Sequence, residues 1–150
     1  MKTFYAAFTS LFSLVILLLS GSTAHAAALG ADWTQATSSA NWSGRETYSV
    51  SFDDKIWVLG GYSTGYLNDV WYSEDGASWT QATASADWST RSYFTTAVFD
   101  DKMWVIGGHS GGRVNDVWHS EDGVSWTEAT SSAEWTERYG HSSVVFDNKL

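Results

Sequence analysis

Beyond the first thirty residues, apolar and polar positions alternate in short runs separated by polar turns. "FTTAVF" (Phe94 to Phe99) and "MWVIG" (Met103 to Gly107) flank Asp100-Asp101-Lys102, the pattern of two strands joined by a compact turn. A third strand is predicted over Asp116 to Ser120. The Asp122-Gly123 pair then turns the chain toward a fourth strand starting near Trp126, because glycine tolerates the positive φ of a tight turn. The expected unit is four antiparallel strands.

That unit recurs. "NDVWYSEDG" (Asn68 to Gly76) returns as "NDVWHSEDG" (Asn115 to Gly123), 47 positions later. Trp33, Trp79 and Trp126 open "WTQATSSANW", "WTQATASADW" and "WTEATSSAEW", and Arg45, Arg91 and Arg138 follow them. "SFDDKIWVLGG" (Ser51 to Gly61), "VFDDKMWVIGG" (Val98 to Gly108) and "VFDNKL" (Val145 to Leu150) complete the register, at a period of 46 or 47 residues. A fixed period of this size signals a solenoid, propeller or array. All ten Trp fall on four repeated positions, which assigns them first to packing between successive units.

The Gly60-Gly61 and Gly107-Gly108 pairs closing an apolar strand, Trp71 and Trp118 downstream, Trp79 and Trp126 after the turn, and Arg45, Arg91 and Arg138 before the next inner strand together resemble the kelch repeats of β-propellers. The resemblance spans residues 29 to 150; the Pro that often precedes the Arg in that family is missing. It implies an all-β fold of four-stranded blades, with the post-Arg strand facing a central channel and the Trp-led strand outermost. Residues 27–44 then form an outer clasp strand and linker, 45–90 the first blade, 91–137 the second, and 138–150 the start of a third, with residue 150 inside its second strand. Propellers typically close with 4 to 8 blades. The chain is therefore expected to be the N-terminal part of a longer, incomplete propeller. Self-association of a short chain is the alternative.

Composition adds a destination. Lys2, the apolar run Leu11 to Leu19 and Ala24-His25-Ala26 make residues 1–26 a signal peptide, predicting a secreted or periplasmic product cleaved near Ala26 and not inserted in a membrane. With no Cys, the exported fold rests on packing and hydrogen bonds. Removal of Lys2 leaves seven basic against 17 acidic residues, which argues against nucleic acid as a partner.

Candidate chemistry lies where the scaffold repeats and the side chain does not. After the double Gly, Tyr62 becomes His109, Thr64 becomes Gly111 and Tyr66 becomes Arg113; in the following strand Tyr72 becomes His119. Tyr62, Tyr66, His109 and Arg113 are the binding candidates, since aromatic faces, an imidazole and a cation on a loop suit a glycan or an acidic partner. Arg45, Arg91 and Arg138 repeat, so a scaffold role is assigned to them, bonding backbone carbonyls between blades; a channel-lining anion site is their second reading. Asp75 and Asp122 read as turn residues.

No catalytic residue, metal site or cofactor is assigned. The scattered His lack ligand spacing, and "GGHSGG" lacks the Lys-Ser/Thr of a phosphate loop. A copper-radical kelch-like oxidase would need a Tyr–Cys cross-link, which a chain without Cys cannot form. Ser73 to Trp79 resembles the sialidase Asp-box but is one residue short, and that box is a structural turn. Asn41-Trp42-Ser43 fits an N-glycosylation acceptor. The function expected is a binding scaffold for an extracellular carbohydrate or protein. The alternative is the N-terminal part of a sugar-acting propeller enzyme, such as a sialic-acid isomerase, with its catalytic groups downstream.

Overall fold

Two four-stranded antiparallel sheets, each wound in chain order, account for the regular structure of residues 34–150, the residues described by this computed structural model. The expected signal peptide and Trp33 of the expected clasp strand lie outside the described residues. Blade 1 comprises β1 (Glu46–Phe52), β2 (Lys55–Tyr62), β3 (Tyr66–Ser73) and β4 (Thr80–Thr83). Blade 2 comprises β5 (Thr95–Phe99), β6 (Lys102–His109), β7 (Arg113–Ser120) and β8 (Thr127–Thr130).

The first turn of each blade is a two-residue hairpin with both central residues left-handed: Asp53 and Asp54 at φ 50 and 54, Asp100 and Asp101 at φ 52 and 52. This geometry matches the right-handed strand twist, and Asp is among the few residues besides Gly that adopt it readily. The third copy repeats the turn at Asp147 and Asn148, φ 49 and 54, but there the pairing stops at a single bridge between Phe146 and Lys149. The second strand expected there is not formed. A two-stranded hairpin with no third strand beside it is marginal in water.

The β3–β4 and β7–β8 connections differ from the tight hairpin expected at Asp122-Gly123. Six residues, 74–79 and 121–126, separate the strands. Asp75 Oδ1 accepts the N–H groups of Ala77 and Ser78 at 2.8 and 2.7 Å, and Asp122 Oδ1 accepts those of Val124 and Ser125 at 2.8 and 2.8 Å. Gly76 and Gly123 supply the positive φ, at 72 and 73. Gly123 has a second duty, because a Cβ there would lie 2.1 Å from Trp57 of the other blade.

The double glycines mark a β-bulge in the partner strand. Leu59 faces Val70 and Gly61 faces Leu67, so Gly60 alone opposes both Asn68 and Asp69; Gly107 opposes Asn115 and Asp116 in the same way. The repeated "ND" is thus the extra-residue step of the strand, and a bulge re-aims the side chains it carries.

Between the sheets lies one core of Trp57, Leu59, Val70, Trp88, Phe94, Met103, Val105 and Trp126. Trp88 sets the spacing. Its ring tip would lie 2.8 Å from a Cβ on Gly60, and it meets Trp126 edge-on at 5.9 Å. Large aromatics at such seams bring on the order of 150–250 Å² each into the core. Trp57 and Trp104 donate their indole N–H to Phe52 and Phe99 carbonyls at 2.9 and 2.8 Å. Trp79 and Trp126 donate to the Gly76 and Gly123 carbonyls. The Trp88 N–H has no partner among the described residues.

Candidate functional site

The two blades present the ends of equivalent hairpins side by side. Ser63 to Gly65 joins β2 to β3 with a Ser63 N–H to Gly65 carbonyl bond of 3.1 Å; Ser110 to Gly112 joins β6 to β7 with the equivalent bond of 2.9 Å. The ladder immediately below pairs Tyr62 with Tyr66 in blade 1 and His109 with Arg113 in blade 2. The scaffold is the same and only the side chains differ.

All four sequence-predicted binding residues fall in this one strip. Tyr62 meets Tyr66 edge-on at 5.2 Å, and the Tyr66 and His109 rings lie 5.5 Å apart, with the Tyr66 hydroxyl 2.8 Å from His109 Nδ1. If the tyrosine donates this bond, the neutral imidazole carries its proton on Nε2, leaving a donor for a ligand. His109 then meets Tyr139 edge-on at 5.7 Å, and the Arg113 guanidinium lies 5.2 Å from the Tyr139 ring. Tyr62, Arg113 and Tyr139 are exposed; Tyr66 and His109 are half-buried.

Tyr93, Tyr139 and Glu46, absent from the sequence prediction, complete the strip. Tyr93 stands 6.0 Å from Tyr139. It adopts φ 56, a left-handed backbone that a bulky side chain disfavours; Gly140 holds φ 65 at the corresponding place of the next repeat. Its N–H donates to the Tyr48 hydroxyl at 2.7 Å and its carbonyl accepts from Gly140 N–H at 2.7 Å. The negative charge of nearby Glu46 raises the pKa of the Tyr93 hydroxyl above the usual phenol value. The signal in the sequence was available: Tyr follows Arg by two residues at Tyr93 and by one at Tyr139. The one-residue offset between repeats conceals it.

The repeated arginines are scaffold groups, with a different main partner from the expected carbonyls. Arg91 donates twice to Asp116, at 2.6 and 2.6 Å, and once to the Gly107 carbonyl at 3.0 Å. Trp118 N–H shares the same carboxylate at 2.8 Å. Burial pushes the Asp116 carboxyl up, but the Arg91 and Trp118 bonds outweigh it and hold it below the usual range. Arg45 pairs with Asp69, which also accepts from Trp71. With their charges satisfied inside their own blades, Arg45 and Arg91 are not open to a channel anion. The bond across the seam is made by the backbone: Arg91 N–H donates to Leu67 carbonyl at 3.0 Å, and Gly61 N–H donates to Arg91 carbonyl at 3.1 Å. Asn68 ties the loop after β4 by donating to the Ala86 and Trp88 carbonyls at 2.9 and 3.0 Å, and Asn115 does the same for Ala133 and Trp135. Arg138 keeps the backbone bonds to Val114 and Gly108, while its exposed side chain reaches only the Thr136 carbonyl at 3.1 Å.

A larger groove of about 670 Å³ lies on the open face of blade 2, lined by Trp104, Ile106, Val117, Trp135 and His141. Its lining repeats Trp57, Leu59, Val70 and Trp88, which the blade seam buries. That face therefore has the chemistry of blade stacking and not of a ligand site. His141 sits there with both ring nitrogens unpartnered, and burial, then the nearby Arg138 charge, lowers its pKa below the ordinary imidazole value.

Among the described residues no group of three or more His, Cys, Asp or Glu is placed to hold a metal, and no helix is long and apolar enough to cross a membrane. The strip can stack on an apolar ring face, exchange hydrogen bonds through hydroxyls and imidazole, and hold an anion at Arg113.

No curated protein matches the chain. Residues 90–119, from the stitch at Arg91 through the bulged strand β7, match the family model of the Kelch motif. Blade 1 repeats the same strand order, double glycine, bulge and Arg–Asp pair, so the described part carries a Kelch motif match in its second blade and folds as two four-stranded sheets consistent with kelch-type β-propeller blades.

Proposed function

We propose that this kelch-repeat chain is an exported scaffold that binds carbohydrate through the aromatic strip at its paired hairpin ends. Kelch blades are interaction scaffolds, and rigid strands carrying variable loop ends are where such scaffolds place recognition groups. The observation that carries the reading is the unbroken run Tyr62, Tyr66, His109 and Tyr139, from the two blades into the start of the third repeat, in steps of 5.2, 5.5 and 5.7 Å. Flat rings edged with hydroxyl and imidazole groups suit the apolar face and hydroxyl rim of a sugar ring. The left-handed Tyr93 supports it, because disfavoured backbone geometry of a bulky residue clusters at ligand sites.

The full-length chain, applied to a panel of immobilised soluble polysaccharides and followed by saturation-transfer NMR, is expected to bind at least one class with contact to tyrosine rings. Tyr62→Ala and Tyr139→Ala should each weaken that binding about tenfold, the size of a lost stacking contact of roughly 1.4 kcal/mol. Retention of no glycan at millimolar concentration would overturn the reading and leave an extracellular protein as the partner class to test.

A further inference from the structure

Resting on the carbohydrate reading, we propose that the strip is specific for acidic glycans, with a uronate carboxylate held by Arg113 and the sugar faces lying along the tyrosines toward blade 1.

Arg113 differs from the other cations of the two blades. Arg45 and Arg91 are buried against Asp69 and Asp116, and Lys55 and Lys102 lie within 4 Å of acidic side chains. Arg113 has no carboxylate within that distance among the described residues, although the chain carries 17 acidic residues against eight basic ones. It is exposed, at the start of β7, and lies over Tyr139. A cation–π contact on this ring holds the guanidinium at the strip, and its N–H groups, unpaired with any described carboxylate, can take one through two parallel hydrogen bonds. A cation kept unpaired on an acidic surface also marks the one place on the strip where an anion is attracted and not repelled.

The opposite end has the opposite polarity. Glu46 pairs with Tyr62 in the β1–β2 ladder, and its charge acts on the Tyr93 hydroxyl, so the blade 1 side offers a carboxylate acceptor suited to sugar hydroxyls. A neutral glycan would use only the rings and Glu46. A polyuronate would use the whole strip and enter in one orientation, its carboxylate over blade 2. The placement of the cation in blade 2 alone follows from the single substitution of Arg113 for the Tyr66 of blade 1.

The test compares oligogalacturonides with the same oligosaccharides after carboxyl reduction, titrated into the full-length chain by calorimetry at low and at physiological salt. The acidic form should bind at least tenfold tighter, and the advantage should shrink with salt, since the pair is exposed and screened. Arg113→Gln should abolish the difference between the two forms while leaving the weaker neutral binding; Tyr62→Ala should reduce both forms alike. Equal binding of acidic and reduced forms, unaffected by Arg113→Gln, would overturn the acidic specificity and leave the carbohydrate reading standing. Binding of neither form, nor of any other glycan, would overturn both.

Discussion

Blade 1 and blade 2 share strand order, bulge, Arg–Asp pair, Asn clamp and turn geometry, yet their hairpin ends carry Tyr62 and Tyr66 in one and His109 and Arg113 in the other. The constant positions are those where a side chain satisfies the chain itself. Asp116 answers Arg91, Asn115 answers the carbonyls of Ala133 and Trp135, and Gly107 and Gly108 leave room for backbone and ring. At the hairpin ends the variable side chains meet one another, Tyr139 and solvent. Variation at the hairpin ends therefore costs the fold little, and that is also where a partner can reach.

The comparison breaks first at the glycines. A Cβ on Gly61 would stand 1.9 Å from the Glu46 carbonyl at φ 107, and one on Gly108 would stand 2.8 Å from Phe94 Cβ at φ 110. Gly61→Ala should cost about 3 kcal/mol or more, and Gly108→Ala a comparable amount, read as lost urea midpoint. Gly111→Ala, where nothing lies within 4 Å, should cost about 1 kcal/mol from its φ of 79 alone. Equal losses at Gly61 and Gly111 would mean that close approach is unimportant.

Next come the arginines. Arg91→Leu leaves Asp116 buried without its cation and should cost about 3–5 kcal/mol, and Arg91→Lys should recover only part because the two-point geometry is lost. Arg138→Leu, at the equivalent but exposed position, should fall within about 0.5 kcal/mol of wild type by thermal unfolding.

Acid should act on both blades together. The folded carboxyls of Asp116 and Asp122 lie below their usual value, and Asp75 is lowered to about 2 by the Ser78 and Ala77 N–H groups and the Ser73 hydroxyl. Depressed carboxyls stabilise above the unfolded pKa of about 3.9 and lose that contribution as pH falls through the folded value. The thermal midpoint should therefore drop between about pH 4 and pH 2, and Asp75→Asn should flatten part of the drop. A midpoint unchanged across that window would show that these turns contribute nothing.

The smallest effect on stability is expected where the largest effect on recognition lies. Replacing both His109 and Arg113 by Tyr gives blade 2 the hairpin end of blade 1. The thermal cost should stay near 1 kcal/mol, about one hydrogen bond, while preference for acidic over neutral glycan disappears.

Most of the scaffold was legible in the sequence because each scaffold rule is written at least twice in a register of 46 or 47 residues. The hidden parts were contacts between copies. Asn68 and Asp69 looked like strand residues, and nothing local told that a bulge would aim one at a loop and the other at an arginine 24 positions back. The four binding candidates emerged as the non-repeating side chains on a repeating frame. Tyr93, Tyr139 and Glu46 did not, since their proximity comes from the seam and from an irregular spacing after the arginines. The long turn after β3 is hidden for a similar reason: Asp-Gly signals a reversal but not the side chain that closes a six-residue loop.

The stitch at Arg91 bears on how such a protein grows. Its backbone belongs to the edge of one blade and its guanidinium to the interior of the next, so the boundary between units runs through a single residue. A duplicated stretch of one period, wherever the genetic cut falls, carries both the hook and the eye needed to join its neighbours. Blades can be added or lost by recombination without a junction being invented, and each new copy arrives with a spare hairpin end free to diverge.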